Sequence, residues 1–449
     1  MMAVTAVSMS STSAARAPGT RPELRMTVAR LAAVWFVQLL LVLSVVPWRS
    51  DEIFDGGLDP TVVGKAAVAV AGLLGAAAIA GTSNLRYPIG LGPAALAVVV
   101  VLVSTLGAIV AGSAMPTIVL AIRVAILVAT VLLILCTVPW DVGVGTLLAA
   151  MATVALVAGV TGIPDALYEG RLGGGIPQLH PNPLAELAGA PLVGLTVLML
   201  RHGVRVWSAF PSAVLLAIVI GTGSRTAFLA VAVAILVGVA VNGIGDRSIV
   251  YLLLASAPVL YAMAVLTDAL RAVATRAGST DTTSTLEARF DAWRVVLGWS
   301  WTAWEKWIGL GLATKTVPVD RRWLDEQVLD SSWVSILAQS GFLGMLLVGS
   351  LVTWCVITAC ASTRRRWLVL PLLVVMLIRT VTESGLVGGA LPFVQFMLLA
   401  TVLTGRSRHL GAAVKRRQLA TGGRFRSTSR PYSEIPSDRA VGERSVGER

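Results

Sequence analysis

Long apolar runs, not alternation or a one-faced helical period, set the pattern of this chain. A bilayer-spanning helix needs about 20 mostly apolar residues. Twelve stretches meet or approach that length: 28–47, 62–80, 92–112, 117–138, 144–161, 184–200, 208–221, 226–242, 248–267, 333–359, 367–383 and 386–404. The run 208–221 is short and begins near Pro211, and 184–200 carries Glu186 close to its start. The pattern predicts an all-α polytopic membrane helix bundle with about 12 transmembrane helices and one long extracytoplasmic loop, 268–332. Residues 1–27 read as a disordered cytoplasmic tail, 28–404 as the transmembrane domain, and 405–449 as a basic disordered cytoplasmic tail in which VGER occurs twice. Within the long loop, Leu286, Phe290, Trp293, Val296, Leu297 and Trp301 recur mostly at spacings of three and four. That spacing predicts a helix over 286–304 with an aromatic face.

Composition supports the membrane class. Of 449 residues, 56% are hydrophobic and only 13% are charged, against about 25% charged in a soluble domain. So little polar surface excludes an ordinary soluble enzyme. The formal charge of +12 fits cytoplasmic loops and tails better than nucleic-acid binding, so no nucleic-acid partner is expected. Arg86, Arg201 with Arg205, Arg247, and Arg364–Arg366 all fall in even-numbered connections. The first connection instead carries Asp51, Glu52, Asp55 and Asp59. Basic loops favour the cytoplasm, so both termini are expected there, in a multi-pass protein of the cell membrane. Three cysteines and three histidines are scattered with no metal-ligand spacing, so neither a metal nor a cofactor is expected.

Charges in or beside spans are costly and therefore candidates for function. Lys65 and Arg123 lie a few residues inside the outer ends of their spans, where long basic chains either reach headgroups or serve a ligand. Arg225 follows Gly221-Thr222-Gly223-Ser224 at an outer helix start, a combination suited to an anion such as a phosphate. Arg379 and Glu383 stand four apart and can pair on one helical face. His180-Pro181-Asn182-Pro183 opens another span on the same side. His180, Asn182, Arg225, Arg289, Asp330 and Glu383 all map to the outer face in this topology. Trp293 and the other loop tryptophans suit either interface anchoring or stacking on sugar rings. The two halves show no internal repeat, which a transporter would be expected to carry.

At these residues the chain resembles the O-antigen ligase and O-antigen polymerase family of envelope glycan enzymes. Four segments carry the likeness. They are Leu179-His180-Pro181-Asn182-Pro183-Leu184-Ala185, Gly223-Ser224-Arg225-Thr226-Ala227-Phe228-Leu229-Ala230, Glu287-Ala288-Arg289-Phe290-Asp291-Ala292-Trp293 with Trp307-Ile308-Gly309-Leu310-Gly311, and Asp330 through Gly344. The resemblance implies an integral membrane glycosyltransferase that works without a metal. Its donor would be a polyprenyl-pyrophosphate-linked glycan, its acceptor a glycan or lipid, and membrane lipids would surround it. Arg225 and Arg289 stand where family arginines are thought to hold the pyrophosphate, and planar guanidinium groups suit that role. With Asp330 they form the candidate catalytic set, while His180, Asn182, Arg123, Arg379, Glu383 and Trp293 are candidate substrate-binding residues. Family ligases place a His where this chain has Asp330. An Asp there can accept a hydroxyl proton as general base or cap the tenth span. The difference leaves open polymerisation or an acceptor other than lipid A. The rival readings are a transporter or flippase of a lipid-linked glycan and a non-catalytic membrane scaffold.

Overall fold

The computed structural model describes residues 27–48, 60–84, 86–243, 282–321 and 324–405. The two tails and the ninth expected span, 248–267, lie outside them. The other eleven expected spans each coincide with a helix. They are α1 (Val28–Val45), α2 (Pro60–Thr82), α3 (Gly92–Val110), α4 (Ala114–Thr137), α5 (Trp140–Thr161), α7 (Pro181–His202), α8 (Val206–Gly221), α9 (Arg225–Asn242), α12 (Ser332–Ala361), α13 (Arg366–Thr380) and α14 (Leu391–Thr404). A short helix α6 (Ile163–Glu169) follows α5. Eight of the described helices are long and apolar enough to cross a bilayer, and the chain is a multi-pass membrane protein.

The last two spans depart from expectation in an instructive way. The run 367–383 is helical only to Thr380, and 386–404 becomes helical only at Leu391. Between them Gly385, Gly388 and Gly389 take positive φ angles of 127°, 100° and 81°. Irregular backbone at membrane depth is tolerated only where protein covers it. Residues 385–389 are buried, and every residue of α14 from Leu391 to Leu403 is buried too. Helix α14 is therefore a central element, packed against α3, α4, α12 and α13. It does not need a full lipid-spanning length. Leu102, Leu106, Ile109, Ile122 and Leu236, by contrast, stand more than half exposed on outer helices, the surface that lipid covers.

The long loop is ordered where it is described. It holds α10 (Thr282–Leu297), α11 (Trp304–Ile308) and an antiparallel hairpin, β1 (Thr316–Arg321) with β2 (Leu324–Val328). The helix expected over 286–304 ends at Leu297, because Gly298, followed by Ser300 and Thr302 between tryptophans, holds the backbone poorly in a helix. The hairpin was not legible. Ala292 and Val296 of α10 pack with Val317, Val319 and Leu329 on Val334, Leu337 and Ala338 of α12. This small satellite core seats the loop on the bundle.

Contacts sort the connections into two ends. At one end Arg30 reaches Ser83 and Thr137, Tyr87 reaches Cys136, Asn242 and Arg201 reach Trp367, and Arg365 reaches Gly405. At the other end Arg123 reaches Ser44, Arg171 reaches Thr222, Arg379 reaches Asn182, and Ser332 reaches Glu383. The split matches the alternation of basic loops in the sequence.

Candidate active site

The end opposite the basic loops gathers the candidate residues, beginning with a clamped turn. Leu172 donates its N–H to Gly221 O at 2.8 Å, and Arg171 Nε donates to Thr222 O at 3.1 Å. Gly223 follows with φ +63° and lets the chain reverse into α9. Arg225 is the first residue of α9 and is exposed. The first N–H groups of a helix lack internal partners and carry the positive end of its dipole. Arg171 and Arg225 thus flank a turn with open donors. Arg171 is 54 positions from Arg225 by number, and sequence reasoning missed it because only the tertiary clamp brings the two together.

A second, buried cluster lies between α7, α13 and α14. Arg379 is 5% exposed. Its Nη2 donates to Asn182 O at 3.0 Å and lies 3.8 Å from Glu186 Oε2. Gln395 Nε2 lies 3.4 Å from Glu186 Oε1. The nearest described acid to the Arg379 guanidinium is therefore on α7, across the bundle. Glu383 lies just past the end of α13, where its N–H still donates to Arg379 O at 2.8 Å, while the Arg379 guanidinium stands 3.8 Å from Glu186. Arg379 Nε and Nη1 are buried and find no hydrogen-bond partner among the described residues. Arg379, Glu186, Glu383 and Gln395 form the polar side of a cleft completed by Ala185, Gly189, Ala227, Val231, Val375 and Pro392. Glu186 and Gln395 were not among the expected site residues. His180 sits at the N-cap of α7, where Nδ1 accepts from Asn182 N at 3.4 Å. That is a structural use of both residues.

Asp330 stands one residue before the helix cap. The N-cap position of α12 is Ser331, whose side chain makes no capping bond, and Asp330 stands one residue earlier. Ser332 then ties two elements together. Its N and Oγ donate to Glu383 O at 3.0 and 2.7 Å, and its Oγ accepts from Leu386 N at 3.3 Å. The joint brings Glu383 to within two residues of Asp330 along the backbone, though the two are more than 50 positions apart in the chain. Leu329 N donates to Lys315 O at 2.9 Å, which brings Lys315 to the same place. Burial, and then the Arg123 charge beside it, pushes the Lys315 amine down to about 8. Arg123 donates to Ser44 O at 2.6 Å. A protein partner therefore holds it at the end of α1.

Two of the family-like segments turn out to be one joint. Helix α12 breaks at Gly341, with φ 65° and ψ −169°. A Cβ on Gly341 would collide with the Trp307 backbone, and one on Gly309 would lie 2.5 Å from Gln339 C. Leu310 N and Gly311 N donate to Ala338 O and Gln339 O at 2.8 and 3.1 Å. The Gly-x-Gly segment thus threads against the broken helix. Nearby, Trp301, Trp307 and Phe342 meet edge to face at 5.6–5.9 Å. This cluster continues into exposed Leu343 and Leu346 of α12, which favours interface anchoring for these tryptophans. Trp293 is half-buried against Phe290 at 5.5 Å in the satellite core. Arg289 lies on α10, and its backbone is helical.

The fold and this end of it define a multi-pass membrane protein with a cationic and acidic site at one end of its bundle. Residues 210–349 match the family described as O-antigen ligase. The match runs from α8 through the turn at Arg225 and the long loop to α12, so an O-antigen ligase domain occupies this stretch of the chain. It sets the protein among membrane enzymes of glycan assembly. His180, Asn182, Arg379 and Glu383 lie outside the matched residues. No curated protein matches the chain.

Proposed function

We propose that this protein is a glycosyltransferase that transfers or polymerises a polyprenyl-pyrophosphate-linked glycan on the outer face of the cytoplasmic membrane. Both termini would lie in the cytoplasm. In this reading Arg225 and Arg289 hold the diphosphate. The acceptor hydroxyl attacks the anomeric carbon, the bond from that carbon to the diphosphate oxygen breaks, and the hydroxyl proton passes to the Asp330 carboxylate. Charge builds on the leaving diphosphate, and fixed guanidinium groups stabilise it as it forms. The observation that supports this best is the gathering of Arg171, Arg225, Arg123 and Lys315 with Asp330 and Glu383 at one end of an O-antigen ligase-type bundle. The other expected substrate contacts, His180, Asn182, Arg379 and Trp293, border or support that end.

Reconstitution tests the proposal. Purified protein in liposomes, given a lipid-linked oligosaccharide and an acceptor, should release polyprenyl pyrophosphate and lengthen or relocate the glycan. Arg225→Ala and Arg289→Ala should each lower turnover at least about tenfold, the value of one lost charge-assisted contact. Lys replacements should restore little, since an ammonium lacks the planar fork. If the donor crosses the bilayer with no glycosidic bond formed, the enzyme reading fails and a flippase takes its place.

A further inference from the structure

The end of the bundle opposite the candidate active site carries a cationic surface of its own. Two of its connections meet at one tryptophan. The Arg201 guanidinium, in the last turn of α7, lies 4.7 Å from the centre of the Trp367 ring in the first turn of α13. Trp140, which opens α5, meets the same ring edge to face at 6.4 Å. Asn242 of α9 donates to Trp367 O at 3.2 Å and to Gly238 O at 2.8 Å. Three helices thus fix one indole, and Arg201 is held on its face. Arg205, Arg364 and Arg366 stand in the same two connections, and all four arginines are exposed. Among the described residues none of the four pairs with an acid. Asp141, next to Trp140, is the one described acid at this end, and it too is exposed. Arg365 differs from its neighbours, because it turns inward to Leu403 O and Gly405 O at the end of α14. Directly after Arg205, Val206, Trp207 and Phe210 of α8 are 84%, 50% and 68% exposed. A soluble anion gains nothing from such an apolar face. A phospholipid satisfies both features, with its phosphate on the arginines and its acyl chains along α8.

We propose that Arg201, Arg205, Arg364 and Arg366, gathered around Trp367, bind the headgroup phosphate of an anionic phospholipid in the leaflet at this end. Basic clusters between spans at headgroup depth attract such lipids, and guanidinium groups grip phosphate through paired N–H donors. Arg201 is already ordered on Trp367, so less ordering is needed on binding. The bound lipid ties α7 to α13, the two helices that carry Glu186 and Arg379 toward the opposite end. Neither a glycan donor nor a transfer step enters this site, so it stands apart from the proposed function.

Equilibrium binding tests this without any transfer assay. Full-length protein in a neutral detergent is titrated with dioctanoyl phosphatidylglycerol, dioctanoyl phosphatidylcholine or glycerol 3-phosphate. Bound ligand is counted by native mass spectrometry, and the unfolding midpoint is followed alongside. Phosphatidylglycerol should saturate at a concentration at least about tenfold lower than either of the others, a difference of one charge-assisted contact or more. Arg201→Gln should weaken phosphatidylglycerol binding about tenfold. Arg86→Gln removes the same charge from the α2–α3 connection at the same end, and it should change binding less than about twofold. The basic C-terminal segment is present in every variant, so it adds the same background to each. Should Arg201→Gln fold poorly, Arg366→Gln decides in its place, with the same loss expected. Its side chain makes no bond among the described residues, so its removal leaves the fold intact. Equal binding of phosphatidylglycerol and phosphatidylcholine overturns the proposal. So does an equal loss in Arg86→Gln and the patch variants, which would show diffuse surface charge rather than a site. Glycerol 3-phosphate binding as tightly as phosphatidylglycerol would mark a soluble-anion site and overturn the lipid assignment. A protein that transfers no glycan yet shows the Arg201-dependent preference would refute the proposed function and leave this site standing.

Discussion

Asp330 and Arg379 show how far single residues carry the argument. With the α12 cap at Ser331, loss of the Asp330 carboxylate removes no cap. Asp330→Asn and Asp330→Ala therefore test the carboxylate itself, with turnover and the unfolding midpoint read side by side. If Asp330 is the base, both should lose about 10²–10⁴-fold in turnover, the usual worth of a positioned base, with donor binding intact. Full turnover in Asp330→Asn would remove it from the mechanism. Arg379 makes a different prediction because it is buried against Glu186. Removing one partner of a buried pair costs about 3–5 kcal/mol, since the other is left uncompensated. Glu186→Gln should lower stability by an amount of that order in detergent. Adding Arg379→Gln should recover part of it. A double variant less stable than Glu186→Gln by the full cost of Arg379→Gln would show that the two do not couple.

At the scale of elements, spans were legible and joints were not. Apolar runs of bilayer length announce themselves residue by residue, so eleven expected spans coincide with helices. The breaks depend on partners far away in the chain. The start of α14 slips from 386 to 391 because neighbouring helices bury the glycine loop, and no local signal reports that. Lys315 was legible only as one loop charge among eight basic residues; its neighbour Arg123 lies on α4, and only folding brings the two together. Arg171 was hidden for the same reason. The Gly341 joint yields the test. A non-glycine residue at left-handed φ costs about 1–2 kcal/mol, and overlap with the Trp307 backbone adds to it. Gly341→Ala should therefore lower stability by at least about 2 kcal/mol. It should also loosen the 309–316 segment that leads to Lys315. Gly349→Ala, on the same helix with nothing nearer than 3.9 Å, should be neutral or gain about 0.4–1 kcal/mol. Equal unfolding midpoints for the two variants would mean the break in α12 is not a stabilising feature.

For the whole molecule, one assignment governs the rest: which end of the bundle faces out. The two ends are distinct in chemistry. One joins Arg30, Arg201 and Arg365 to backbone carbonyls and to the Trp367 ring, while the other holds the acids and the turn before Arg225. Basic connections stay on the cytoplasmic side, so the site end should be extracytoplasmic. Thr302 lies in the long loop and Thr363 lies beside Arg364–Arg366, and both are exposed. Cys136, Cys355 and Cys360 must first be replaced, since Cys360 is itself exposed and close to Thr363. In that background, a membrane-impermeant maleimide added to intact cells should label Thr302→Cys and spare Thr363→Cys until the membrane is opened. A lipid-linked glycan displayed outside could then meet Arg225 and Asp330 directly, with no path through the bundle. Labelling of Thr363→Cys alone would turn the site toward the cytoplasm. The donor would then have to be used before export, and the outer-face reaction would have to be abandoned even if every arginine proved essential.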